Sequence, residues 1–396
     1  MTETLDPSRR LMRPTRDPGL DALRGLLQLF IFVGHIPMNW AAAAIHRSWG
    51  FSDSSELFVY LSGMTLGSLF ALRHFERGWL VASGELLRRA GKLLARHVWM
   101  TVLFVAVVVE LGGTALIGEF RMQAILTDPW TALAALPFLA WQPVFMDILP
   151  LFVLAMAALP LAMLAPRSRP WLGLAPWLAL WLIVQATGLH LPTWPDARPW
   201  TFNPLSWLPL FMLGAWIGRA ALFGEDLIPR RRWLLAIALS VVAVGVVVRG
   251  SWTFHDFGLP VPPLAESIFW PLDKVNLGWA PALHSLCLIY VVAWLVPRDR
   301  GFLVGRVGRW LSACGRVSLD LFCLGLFLSL LARLTVEAFG GGDIALAAVN
   351  IVGLALLLGF GQWRGGGQGR QRRAPAAPNA ATGPRTTAEA CLRAPG

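Results

Sequence analysis

Leu20-Asp21-Ala22-Leu23-Arg24-Gly25-Leu26-Leu27-Gln28-Leu29-Phe30-Ile31-Phe32-Val33-Gly34-His35-Ile36-Pro37 is apolar enough to lie in lipid, yet it carries a stripe of polar side chains. At about 100° per residue, Arg24 and His35 return to within about 20° of the same helix face, roughly 16 Å apart along the axis. Asp21 and Gln28 share that stripe. Ionisable groups at membrane depth are costly and face protein or a water-filled cavity, so the stripe should look into a helical bundle. An Asp21–Arg24 pair at i, i+3 capping the helix is the alternative use of its first turn.

The rest of the chain has the same character. Of 396 residues, 56% are hydrophobic and only 14% charged, where a soluble domain has roughly a quarter charged. A crossing takes about 20 mainly apolar residues, and that window marks ten candidate spans near 21–44, 54–72, 97–117, 147–165, 171–190, 203–222, 233–249, 278–297, 310–334 and 343–362. A further apolar piece, 130–145, holds Pro137 and Pro143 and is too short to span; an interfacial or re-entrant segment is expected. The fold expected is all-α, a polytopic transmembrane bundle of about ten helices with both termini cytoplasmic. Residues 1–19 form an N-terminal arm, 20–363 the membrane domain and 364–396 a disordered tail rich in Gly, Ala, Pro and Arg.

The net charge of +11 would raise nucleic acid as a partner in a soluble protein. With the N-terminus inside, however, most Lys and Arg residues collect on the cytoplasmic side, leaving only Arg47, Arg121, Arg198, Arg249 and Lys274 outside. That is the positive-inside pattern, so topology explains the charge, membrane lipids are the expected partners and nucleic acid is not. The basic N-terminal arm before an apolar run resembles a secretion signal, but the run is long and carries Arg24, Gln28 and His35, and an uncleaved first helix is expected. Cys287, Cys314, Cys323 and Cys391 have no metal-ligand spacing, and neither a disulfide framework nor a metal site is expected. Phosphate-loop, His-Glu-x-x-His and Gly-x-Ser-x-Gly motifs are lacking. No internal repeat of the inverted-transporter kind is evident.

Chemistry concentrates in a few places. His35 is a candidate general base, since its unperturbed pKa suits proton transfer near neutrality. In Gly50-Phe51-Ser52-Asp53-Ser54-Ser55-Glu56-Leu57-Phe58-Val59-Tyr60-Leu61-Ser62-Gly63-Met64, Asp53 and Glu56 open the second helix, where carboxylates suit the N-terminus and capping is one use for them. Glu56 shares a face with Tyr60, Gly63 and Gly67, whose small residues permit close packing. That face is expected to bring Glu56 towards His35, where a carboxylate would fix the imidazole tautomer. After the second helix, Arg88, Lys92 and Arg96 recur at i, i+4 and i+8 with Arg89 beside them. This basic face suits either lipid phosphates or the phosphates of a nucleotide-bearing donor such as coenzyme A. On the outer side, Asn203, Trp270, Asp273 and Lys274 lie in or beside proline-containing loops.

At these positions the sequence resembles the OpgC family of bacterial membrane proteins, related to the wider group of membrane acyltransferases that modify extracytoplasmic glycans. The similar pieces are Arg16-Asp17 with Leu20-Asp21-Ala22-Leu23-Arg24-Gly25, His35-Ile36-Pro37, the Gly50–Gly63 stretch, Phe202-Asn203-Pro204 with Leu213-Gly214-Ala215-Trp216, Asp273-Lys274, and Gly315-Arg316-Val317-Ser318-Leu319-Asp320-Leu321-Phe322-Cys323. The resemblance implies an enzyme of the bacterial inner membrane that moves a succinyl group from succinyl-CoA to hydroxyls of osmoregulated periplasmic glucans, with no permanently bound cofactor. It also implies Arg24 and His35 as an essential pair. In this reading His35, Arg24, Glu56 and Asp21 are catalytic, Arg88, Arg89, Lys92 and Arg96 bind the donor, and Asp53, Asn203, Asp273, Lys274 and Trp270 meet the acceptor. The wider group often has a tight Arg-x-x-Arg motif on the cytoplasmic side, where this chain has the looser basic face. Two other readings compete: a proton-coupled transporter or flippase using His35 and Glu56 as a relay, and an acetyl-CoA-dependent enzyme acting on another glycan.

Overall fold

The Asp17-Pro18 pair starts the first helix as its composition directs: Asp17 accepts from the Gly19 amide at 2.7 Å, and Pro18 sits in the first turn, where its missing N–H leaves nothing unsatisfied. In this computed structural model, which describes residues 17–269, 272–295 and 305–371, α1 runs Pro18–His35. The long helices that follow are α2 Ser54–Arg77, α3 Trp79–Leu111, α4 Ile148–Ala162, α5 Pro170–Thr187, α6 Pro204–Leu222, α7 Arg232–Asp256, α8 Trp279–Leu295, α9 Arg306–Arg316, α10 Ser318–Ala338 and α11 Asp343–Gln371. Short helical turns join them, and the described residues contain no strand beyond one isolated bridge, Pro192–Pro199. Among them, seven helices are long and apolar enough to cross a membrane: α2, α3, α5, α6, α7, α10 and the apolar part of α11. The chain is a polytopic, all-α membrane bundle.

Four boundaries differ from the hydropathy reading. The first span, expected to reach residue 44, ends at His35, because Ile36 precedes Pro37 and is driven into extended backbone; Trp40–Ala44 is a separate 3-10 turn. The basic segment after the second span is no loop. Gly78, at φ 85°, makes a single-residue break, and α3 then runs 33 residues, carrying Arg88 to Arg96 on a helical surface. The ninth span is two helices, broken at Val317. At the C-terminal end, the expected boundary at residue 364 falls inside α11. Most of the N-terminal arm, and the tail from 372, lie outside the described residues. The 130–145 piece contains only the short helix Pro129–Ala135 and non-helical chain after it, so it does not span.

The functional core is built on two close helix pairs. Gly63 and Gly67 of α2 face Gly214 and Gly218 of α6, so that a Cβ on Gly63 would fall on the Phe211 carbonyl oxygen and one on Gly214 on that of Tyr60. Without a hydrophobic drive between helices in lipid, such backbone approach is what lets dispersion contacts hold a pair together. The α1–α9 pair uses the same device through Gly25 and Gly315. Together they fix the rotation of α1 and α2 about their axes, and hence which cavities the polar residues of those helices reach.

Candidate active site

The polar stripe of α1 opens into two separate cavities at different depths. Near the start of the helix, Arg24 Nη2 donates to the Leu61 carbonyl of α2 at 2.5 Å and to Thr65 Oγ1. Eleven residues on, His35 Nδ1 lies 2.6 Å from the Ile31 carbonyl oxygen. A carbonyl only accepts, so Nδ1 carries the hydrogen and Nε2 keeps its lone pair. The imidazole ring also meets Phe145 edge-on, centroids 4.6 Å apart. These contacts orient the ring through the helix's own backbone and leave Nε2 the acceptor.

The cavity at Arg24 has a volume of about 420 Å³. Arg24, Ser62 and Thr65 form one side, Arg89, Lys92 and Arg96 of α3 another, and Phe58, Phe152 and Met156 an apolar wall. Arg96 also bonds Asp320 Oδ1 at 2.5 Å. Of the four donor residues expected from sequence, Arg89, Lys92 and Arg96 share the cavity, and Arg88 does not. The reason is the buried side of α3, which holds Ala82, Leu86, Ala90, Leu93 and His97. At about 100° per residue Arg88 lies about 200° round from Leu86, on the far side of the helix. Asp21 is also corrected: it is buried where Gly315 packs on its backbone and lines neither cavity.

The cavity at His35 measures about 400 Å³. Around His35 it gathers Arg47, Asp53, Ser55, Glu119, Asp147 and Arg333, with Phe120, Phe145 and Phe202 as apolar surface. Asp53 caps α2, accepting from Ser55 N at 2.7 Å, while Glu56 Oε2 accepts from Asp53 N at 2.9 Å, a reciprocal capping box. Glu56 is fully buried, and its other oxygen takes Lys274 Nζ at 2.7 Å; Lys274 lies 3.6 Å from Asp53 as well. The expected support of His35 by Glu56 is thus not formed, because Glu56 is turned to Lys274 and the Ile31 carbonyl takes its place. Burial pushes the Asp53 carboxyl up, but Lys274 and the surrounding hydrogen bonds outweigh it and hold the group below the usual carboxylate range. For Lys274, burial disfavours the charge, and the two carboxylates more than restore it, leaving the ammonium above its ordinary value.

Among the acceptor residues expected from sequence, Asp53 lines this cavity and Lys274 sits behind it. Asn203 is fully buried, capping α6 through Leu205 N and bonding the Leu189 carbonyl and Asn276 Oδ1, which makes it a structural residue. Asp273 is exposed and holds Asn276 N at 2.9 Å, organising the turn that presents Lys274. Neither lines the cavity. Trp270 lies outside the described residues. Two apolar side chains, Ile148 of α4 and Phe322 of α10, line both cavities and form the partition between them.

Compared with known families, the chain matches a model described as OpgC protein over residues 16–366. The chain belongs to the OpgC family. The matched region runs from just before α1 into α11, so both cavities and the Ile148–Phe322 partition lie inside the OpgC region. Compared with curated proteins and with solved structures, the chain finds no match. OpgC membership supports acyltransferase activity for a membrane protein of this architecture.

Several lining residues escaped the sequence reading. Asp147 was hidden at the edge of an apolar run; it is buried beside the His35 cavity, and that burial pushes its carboxyl up. Its signal was the acid immediately before Ile148, on a segment otherwise apolar. Glu119 and Arg333 are joined as an ion pair across 214 positions of sequence, and Arg333 bonds Glu337 at 3.0 Å as well. An arginine inside a predicted span was the available clue. Thr65 carried none.

Proposed function

We propose that this protein is an O-acyltransferase of the bacterial inner membrane that moves a succinyl group from succinyl-CoA to hydroxyls of periplasmic glucans. The observation that supports this reading most is the pair of cavities on one helix: a basic one at Arg24 and one at His35, roughly 16 Å further along α1, with Ile148 and Phe322 lining both. A nucleotide-linked thioester and a glycan are found on opposite sides of a membrane, and such an arrangement lets each approach from its own side.

The basic end is the cytoplasmic end in this reading, in keeping with the positive-inside pattern. Arg89, Lys92 and Arg96 hold the donor's phosphates, and Arg24, fixed to α2, sets the path of its acyl arm. At the other end a glucan hydroxyl approaches His35. Nε2 takes the hydroxyl proton as the oxygen attacks the thioester carbon; the new C–O bond forms, the C–S bond breaks, and the thiolate leaves with the proton that the imidazolium returns. In this reading Asp53 and Asp147, which line the cavity, meet other sugar hydroxyls. The transporter reading needs a relay from His35 to Glu56, and Glu56 is committed to Lys274 instead.

Purified protein incubated with succinyl-labelled succinyl-CoA and glucan tests the proposal. Label recovered as glucan ester, with free CoA released in equal amount, is the expected outcome. Glucan left unlabelled while the protein moves glucan across vesicle membranes would overturn it.

A further inference from the structure

We propose that Arg47 is the residue that selects a dicarboxylic acyl group, binding the distal carboxylate of the acyl chain beside His35. This rests on the acyl-transfer reading above and deepens it.

Two arginines line the His35 cavity, Arg47 and Arg333. Arg333 is committed: it is paired with Glu119 and, at 3.0 Å, with Glu337. The neighbouring ammonium of Lys274 is likewise held by Glu56 and Asp53. Arg47 differs, for among the described residues it has no carboxylate within ion-pair distance. Its one hydrogen bond runs from Nη1 to the Gly34 carbonyl at 2.9 Å. That bond holds the guanidinium against the residue that precedes His35, while its remaining N–H donors face the open cavity and solvent and are free to meet an anion. An arginine that lines a polar cavity and is anchored by backbone rather than by an acid is a site for an incoming anion, and the fork of guanidinium donors matches a carboxylate in particular.

Chain length fits the same assignment. A succinyl group carries its carboxylate carbon about 4 Å from the thioester carbon, from bonds of about 1.5 Å. Gly34 and His35 are adjacent, with Cα atoms about 3.8 Å apart. With the guanidinium held at the Gly34 carbonyl in the cavity that His35 lines, a four-carbon diacid is of the length to set its acyl carbon at His35 and its far carboxylate at Arg47 in this proposal. An acetyl group has nothing to offer the guanidinium, and a longer neutral chain would meet it with methyl groups. Selection then comes from a cation that only the acid-bearing acyl group satisfies.

The test compares two donors of equal chain length, succinyl-CoA and butyryl-CoA, with Arg47→Lys, Arg47→Gln and Arg47→Glu, each normalised to protein folded in the membrane. Succinyl transfer should fall in that order, and Arg47→Gln should lower the ratio of succinyl to butyryl transfer by about tenfold or more. An unchanged ratio, whatever the absolute rates, would mean that Arg47 only braces Gly34 and would overturn the proposal. Wild-type protein that transfers neither acyl group would instead overturn the acyl-transfer reading beneath it.

Discussion

Replacing Lys274 by methionine tests how the acceptor end of the site is held together. Lys274 reaches Glu56 from 218 positions away in sequence and is its cation at 2.7 Å, with Asp53 at 3.6 Å. Glu56 is fully buried while Lys274 is 35% exposed; stranding a charge in a fully buried pair costs about 3–5 kcal/mol, and the exposure of Lys274 together with proton uptake by the abandoned Glu56 carboxyl reduces that figure. The hydrogen bond from the Asp53 amide, at 2.9 Å, and one from Ser55 at 3.1 Å remain, which favours the lower part of that range. The depressed value of Asp53 keeps its contribution until pH falls into the carboxylate range, and the raised value of Lys274 keeps its own until pH exceeds its ordinary 10.4 or so. Glu56→Gln alone strands the ammonium less severely, because Asp53 still faces it. The double variant should recover most of the loss, since it removes both the charge and its partner. Thermal unfolding of detergent-purified protein, run as a double-mutant cycle, reads the coupling. Additive losses from the two single changes would refute the claim that this pair clamps the 273–277 turn onto α2.

Arg89→Ala, Lys92→Ala and Arg96→Ala together should raise KM for the acyl-CoA by about tenfold or more, while Arg88→Ala, which points away from the cavity, should leave it unchanged. Equal effects from both would return the whole basic face to lipid anchoring. Phe322→Trp thickens the partition between the cavities and should slow transfer by about 10²-fold, through displacement of the reacting groups, with little change in donor affinity. Donor binding lost in parallel would show that Phe322 shapes the basic cavity only.

Much of the bundle was legible from hydropathy alone, because a lipid solvent demands long apolar helices and leaves few alternatives. The places where it misled have local causes: Pro37 stops α1 through Ile36, Gly78 turns α2 straight into α3, and Val317 separates α9 from α10. For the site, periodicity identified the Arg24–His35 stripe because both residues lie on one helix. It kept Arg88 in the basic face, since Arg88 and Arg89 cannot be told apart without the buried side of α3. The partner of Glu56 was beyond its reach. A capping box explains that residue within its own helix, and nothing in the spacing points to a lysine in a distant loop. Arg47, read only as a charge on the minority side, gains meaning from the saturation of the cations around it.

In the proposed reaction His35 takes the proton of the attacking hydroxyl. His35→Ala, measured as succinate incorporated into glucan by membranes carrying the variant and normalised to folded protein, tests this step most directly. A positioned base contributes about 10²–10⁴-fold to rate, so incorporation should fall by at least the lower figure while protein accumulates normally and donor affinity is retained. Incorporation near that of the wild type would contradict the account and leave His35 as a packing partner of Phe145.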